Sequence, residues 1–185
     1  MRKLRWFLWF LLAVIVETLL GCESPVQPNT PSLELKSSSF SGDSIPGKYS
    51  SCDGQDGKSP ALSWSRPPEQ TQSFALIAFD RDSLFGYKFT HWVLYDIPAD
   101  KHDLAEDIAK QAQLPDGSRQ GPNDNDKIGY FGPCPPGHSP HHYVFDLYAL
   151  DVKLNLPAGA SKKQVIEAIT GHVLGHGELV GTFQH

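Results

Sequence analysis

The stretch Tyr143-Val-Phe-Asp-Leu-Tyr-Ala-Leu-Asp151 constrains the fold more than any other, because both of its alternating faces carry large apolar groups. In an extended chain Tyr143, Phe145, Leu147 and Ala149 share one face, and Val144, Asp146, Tyr148 and Leu150 share the other. A strand of this kind needs cover on both sides, so it belongs in the middle of a sheet within a layered domain. Ser73–Asp80 (SFALIAFD) and Thr90–Ile97 (THWVLYDI) are similar runs of aliphatic, β-branched and aromatic residues bounded by turn formers, and they read as strands too. Ala61–Ser65 is a weaker strand candidate.

Between these runs and around them the text changes. Lys101 to Gly129 is rich in Asp, Lys, Gln, Gly and Asn and reads as a long functional or linking loop, with a weak helical patch at Leu104 to Ile108. Near the end, Ser161-Lys-Lys-Gln164 is a capping box, and Val165, Ile169 and Val173, with Ile166 beside them, recur at helical spacing up to a C-cap at Gly175. The spacing predicts a helix near 161–174. Several strands and one late helix give a mostly β fold, an antiparallel β-sandwich with peripheral helices.

The first 21 residues stand apart. Arg2, Lys3 and Arg5 precede an apolar run from Trp6 to Val16, and Leu19-Leu20-Gly21-Cys22 follows as a processing site, so 1–21 reads as a secretory signal. Leu-x-Gly-Cys resembles the bacterial lipobox, in which the cysteine is lipidated; Cys22 is then the anchor of an extracytoplasmic, envelope-bound protein. Residues 22–32, with ESPVQPNTPS after the cysteine, read as an extended flexible tether. The folded domain is 33–185. The net charge is −5, without a basic block once the leader is discounted, which argues against nucleic acid as the main partner.

Of the three cysteines, lipidation of Cys22 leaves Cys52 and Cys134, and an oxidising compartment favours their pairing as a disulfide. The competing reading, a nucleophilic Cys134, is poorly supported: its neighbours are prolines and the sequence identifies no base beside it.

Asp80 ends one strand and Asp82 follows two positions on; His91 opens the next strand and His141 a later one. Neighbouring strands would bring these four to one rim. There imidazole N–H groups and loop amides complement a small anion, while a carboxylate holds an imidazole in place. A phosphate carrying an ammonium suits acids and imidazoles together better than bare phosphate does. Blander readings stand beside this one. Two Asp residues after a strand are common turn formers, and a His at a strand start is often structural. His138 and His142 read as solvent-facing, His172 and His176 lack the intervening Glu of the zinc-protease motif, and His185 is a chain end.

Taken together, IPGKYSSCDG, SPALSW, SFALIAFDRD, HWVLYDIPAD, GPNDNDKIGYFGPCPP, HHYVFDLYALD and GASKKQVIEAITGHVLGHGELVG, in this order, resemble the phosphatidylethanolamine-binding protein (PEBP) family, in its bacterial Raf-kinase-inhibitor-like branch. The resemblance runs from about Ile45 to Phe183. It implies a β-sandwich with a small pocket for phosphate, acetate or phosphorylethanolamine-like groups. Carried onto this chain, it makes Asp80 and Asp82 the pocket acids and His91 and His141 the pocket histidines. Tyr143 is the tyrosine of the family's H-R-Y segment, and the loop Gly132 to Pro136, with Pro133 and Pro135, is a stiff pocket wall. The chain departs from the family pattern at Arg81 and Leu84, where prolines are usual, and at His142, where arginine is usual.

The implied function is non-catalytic binding of a small anionic or phospholipid-headgroup ligand, without a metal or cofactor, at a membrane reached through a lipid anchor. A surface-acting inhibitor of a kinase or protease is the second reading. A zinc hydrolase built on Asp80, His91 and His141 is a third, from a different class.

Overall fold

The computed structural model describes residues 24–40, 42–137 and 139–185, so the leader, Cys22 and His138 lie outside the described residues. Eight strands and one helix follow in chain order. They are β1 (Leu35–Lys36), β2 (Leu62–Trp64), β3 (Ser73–Asp80), β4 (Phe89–Pro98), β5 (Asp103–Leu104), β6 (Arg119–Gln120), β7 (His141–Leu150), α1 (Lys162–Ile169) and β8 (Val173–Phe183). The larger sheet has the order β6-β4-β3-β7-β8 and the smaller one β1-β2-β5; the strand pairs in both are antiparallel.

The two-faced pattern of β7 is realised as the sequence implies. Tyr143, Phe145, Leu147 and Ala149 enter the core shared by the two sheets, with Phe74, Leu76 and Ala78 of β3 and Leu62 and Trp64 of β2. Val144, Tyr148 and Leu150 enter a second core on the opposite face, where Val165 and Ile169 of α1 close it with Ala75, Ile77 and Phe79 of β3. Each fully buried Leu, Ile or Phe contributes about 1.5–3 kcal/mol, so the large sheet is held from both sides.

The predicted helix begins where expected. The Ser161 N–H donates to Gln164 Oε1 at 2.9 Å, and the Gln164 N–H donates to Ser161 Oγ at 3.3 Å. It stops earlier than expected, at Ile169, because Thr170 turns extended and Gly171 takes a φ of +84°. Val173 is therefore the first residue of β8 rather than part of the helical stripe, and Gly175 lies inside that strand instead of capping the helix. The patch Leu104 to Ile108 is not helical either: Leu104 pairs with Leu62, and Asp107 has a φ of +65°.

The N-terminal segment lies along β8. The Leu33 N–H donates to the His176 carbonyl and the His176 N–H to the Pro31 carbonyl, while Val26 packs against the second core. Gly177 permits this approach, since a Cβ there would sit 2.8 Å from the Leu33 carbonyl oxygen.

Candidate functional site

Two alternations and one irregularity build the site. Along β3 the face of Phe74, Leu76 and Ala78 continues to Asp80; along β7 the face of Ala149, Leu147, Phe145 and Tyr143 continues to His141. Asp80 pairs with Tyr143 across the two strands. The polar pair thus terminates the inter-sheet core. On β4 the register jumps: Ala78 faces Trp92 but Phe79 faces Thr90, which leaves His91 as an extra, bulged residue. The His91 ring meets the Tyr143 ring edge-on at 5.1 Å.

The contacts are specific. His141 Nδ1 lies 2.7 Å from Asp80 Oδ2, and the Asp82 N–H donates to Asp80 Oδ1 at 2.8 Å, so both oxygens of this buried carboxylate are engaged. His91 Nδ1 lies 2.7 Å from the Phe131 carbonyl oxygen, and the Phe131 N–H returns a bond of 2.9 Å to the His91 carbonyl. A carbonyl only accepts, so Nδ1 of His91 carries hydrogen. Burial pushes the His91 imidazole down from 6.5 to about 4, against the opposing pull of the Phe131 carbonyl. His91 is then neutral at pH 7, with its Nε2 lone pair as the ring's remaining polar group. Burial raises the Tyr143 phenol, and the Asp80 and Asp82 carboxylates raise it further, so it stays protonated.

Around these groups lies a cavity of about 310 Å³. Of the residues that the resemblance assigns to a pocket, Asp80, His91, Pro135, His141 and Tyr143 line it. Gly132, Pro133 and Asp82 do not. Gly132 and Pro133 hold the wall from behind: the Gly132 N–H donates to Ser51 Oγ at 2.8 Å, and the Ser51 N–H donates to the Pro133 carbonyl at 3.0 Å. A Cβ at Gly132 would stand 2.1 Å from the Tyr49 carbonyl oxygen, so only glycine allows that approach. The Cys52–Cys134 disulfide fastens the same two segments, and Cys134 itself lines the cavity.

Asp82 turns its carboxylate away, where Oδ2 accepts from the His142 N–H at 2.7 Å and lies 2.6 Å from His142 Nδ1. Partial burial works to raise the Asp82 carboxyl, but the His142 hydrogen bonds outweigh it and hold the group below the ordinary aspartate value. His142, half-exposed, thus occupies the place of the family arginine as the partner of an acid.

Ser83, Leu84, Tyr87, Phe89 and Phe131, none of them among the residues that the resemblance assigns to the pocket, complete the lining with Cys134 and Pro136 of the expected wall loop. A signal for the first three existed. Asp80 pairs with Phe89, so residues 81–88 form a hairpin loop between two recognisable strands and must sit at this end of the sandwich. Among the described residues, no three His, Cys, Asp or Glu side chains are grouped so as to hold a metal ion. Three further histidines pair elsewhere: His172 with Asp151, His176 with Asp146 and His185 with Asp53.

Residues 36–184 match the family described as Phosphatidylethanolamine-binding protein. The chain belongs to the PEBP family. A UPF0098 protein of Methanothermobacter thermautotrophicus is 48% identical over 140 residues, which are 76% of this chain and 90% of that protein. The crystal structure of the PEBP homologue CT736 of Chlamydia trachomatis superposes with a TM-score of 0.73 at 38% identity, covering 84% of this chain and 99% of that one. A Mycobacterium tuberculosis protein that carries a lipoprotein name, LppC, is 38% identical over 169 residues, 90% of this chain and 79% of its own length. The family match, residues 36–184, includes Asp80, His91 and His141.

Proposed function

We propose that this PEBP protein binds, without turning over, a small oxyanion-bearing ligand such as phosphate or a phosphorylethanolamine-like headgroup in the cavity of Asp80, His91 and His141. The observation that carries the reading is the Asp80–His141 pair at 2.7 Å, buried and lining the cavity together with a second imidazole, His91. Asp80 holds the His141 ring by Nδ1, and the ring in its protonated form offers Nε2–H to an oxyanion in a charge-assisted bond.

A titration of inorganic phosphate and of phosphorylethanolamine, followed through the imidazole nitrogen resonances, tests this. The His91 and His141 signals move while those of His172 and His185 stay still. If no imidazole responds to either ligand, the cavity is not the anion site.

The reading includes the place of work: outside the cytoplasm, on a membrane, through lipidated Cys22. Its support is the leader with Leu19-Leu20-Gly21-Cys22, the lipoprotein-named relative and the Cys52–Cys134 bond. Replacing Cys22 with Ser should release the protein from membranes or leave it unprocessed. A cleaved Cys22→Ser protein that still fractionates with membranes would show that the anchor lies elsewhere.

A further inference from the structure

From its sequence 22–32 reads as a flexible tether, yet from Ser24 onward the chain is laid on the domain. A turn closes first: the Thr30 N–H donates to the Gln27 carbonyl at 3.0 Å, and the Gln27 N–H to Thr30 Oγ1 at 3.1 Å. Ser32 then bridges His176 in parallel register. The His176 N–H donates to the Pro31 carbonyl at 2.9 Å, and the Leu33 N–H to the His176 carbonyl at 2.8 Å. Next along the chain, the Glu34 N–H donates to Ser65 Oγ at 2.9 Å and the Ser65 N–H to the Glu34 carbonyl at 3.0 Å.

Two apolar seats on opposite faces of the large sheet hold this segment. Leu33 is buried in the core between the sheets, and Val26 packs against the second core. The segment therefore wraps the outer edge of β8, and lifting it would return apolar surface to water on both sides. Its covalent slack is small, because two residue steps join Cys22 to Ser24, a reach of about 7 Å. A lipid on Cys22 then brings the bilayer up to the strap itself.

The seat is remote from the cavity. Along β8, His176 pairs with Tyr148 and Phe183 pairs with His141, so seven residues of strand, about 23 Å, separate the strap contact from the cavity end. The edge nearer the cavity is already taken: the Thr182 N–H donates to the Asp43 carbonyl, and the Ile45 N–H to the Thr182 carbonyl. Leu84, at the cavity mouth, follows β3, which lies two strands in from β8, about 10 Å across the sheet.

We propose that residues 24–33 form a strap that seats the domain on a lipid bilayer by the β8 edge around His176, and that this seat holds the cavity clear of that bilayer, open to the aqueous side. The inference rests on lipidation of Cys22, as read above, and is independent of what the cavity binds.

Energy transfer to a headgroup fluorophore tests it on the lipidated mature chain in vesicles of phosphatidylethanolamine and phosphatidylglycerol. Donor dyes go on Glu69→Cys or Leu84→Cys, both exposed positions, while Cys52 and Cys134 stay bonded to each other. Glu69 reports the strap side, since the adjoining Pro68 stands with Leu33 over Gly175. The donor at 84 should lie farther from the headgroup plane than the donor at 69, by about 10 Å or more. An insertion of about ten Gly and Ser residues between Glu23 and Ser24 leaves the strap seated but frees the domain over roughly 17 Å, and the difference should fall to about half or less. Equal distances in the bound protein, a nearer donor at 84, or a difference that the insertion leaves unchanged would overturn this inference while the anchor stands. If the mature chain does not stay on the vesicles, the anchor reading fails and this inference falls with it.

Discussion

Asp80 and His141, 61 residues apart in sequence, end the same face of two neighbouring strands and meet at 2.7 Å, Oδ2 to Nδ1. With its Nδ1 hydrogen toward the carboxylate, the His141 ring can donate at Nε2 only as the imidazolium. An oxyanion that accepts from this Nε2 therefore binds the protonated ring.

The first prediction is proton uptake. Phosphate binding measured by calorimetry at pH 7.5, in buffers of different ionisation heat, should show a net gain of a fraction of a proton up to roughly one, and affinity should fall as pH rises further. Binding that releases protons, or that strengthens with rising pH, would contradict the arrangement.

His91 makes a separate statement about stability. Its folded value is held near 4 while an unfolded histidine titrates near 6.5, so below that value the unfolded chain binds the proton that the folded chain refuses. The stabilisation is present above about 6.5 and is lost as pH falls to about 4. The gap of 6.5 − 4 = 2.5 corresponds to about 3 kcal/mol. Denaturant unfolding of the wild type against His91→Asn, between pH 7 and pH 4, should show a smaller acid-induced loss in the variant; parallel curves would refute a buried neutral His91.

Much of this was legible in the chain, for a physical reason: β3, β4 and β7 have local patterns strong enough to read, and period-two alternation carries directly from Phe74 to Asp80 and from Ala149 to His141. What escaped depends on contacts distant in sequence. Gly175, expected to cap the helix, lies in β8 with Gly177 and Gly181, and at the last two a Cβ would crowd Leu33 and Ile45, residues far away in sequence. Val173 falls at helical spacing after Val165 and Ile169, but Gly171 has already reversed the chain. His91 was singled out by its place at a strand start, whereas its direction comes from a bulge that no local pattern announces. Asp82 and Gly132 lay close to the right loops and still face elsewhere, the one to His142 and the other to Tyr49.

The disulfide offers a third test. It closes a loop with 82 residues of separation, so its loss should cost about 4 kcal/mol by the chain-entropy argument. Because it also fastens the cavity wall, the Cys52→Ser, Cys134→Ser double variant should bind phosphate more weakly under conditions where it is still folded. Unfolding midpoints and phosphate affinities unchanged from the wild type would remove the disulfide from both roles.

The central claim is that the buried Asp80–His141 pair, and not the neighbouring exposed Asp82–His142 pair, receives the anion. Calorimetric titration of phosphorylethanolamine into the wild type, His141→Ala and His142→Ala decides it most directly. The account predicts a loss of roughly tenfold to a hundredfold for His141→Ala, the worth of one charge-assisted hydrogen bond, and a change of less than about threefold for His142→Ala. Equal losses in the two variants, or a loss confined to His142→Ala, would contradict it.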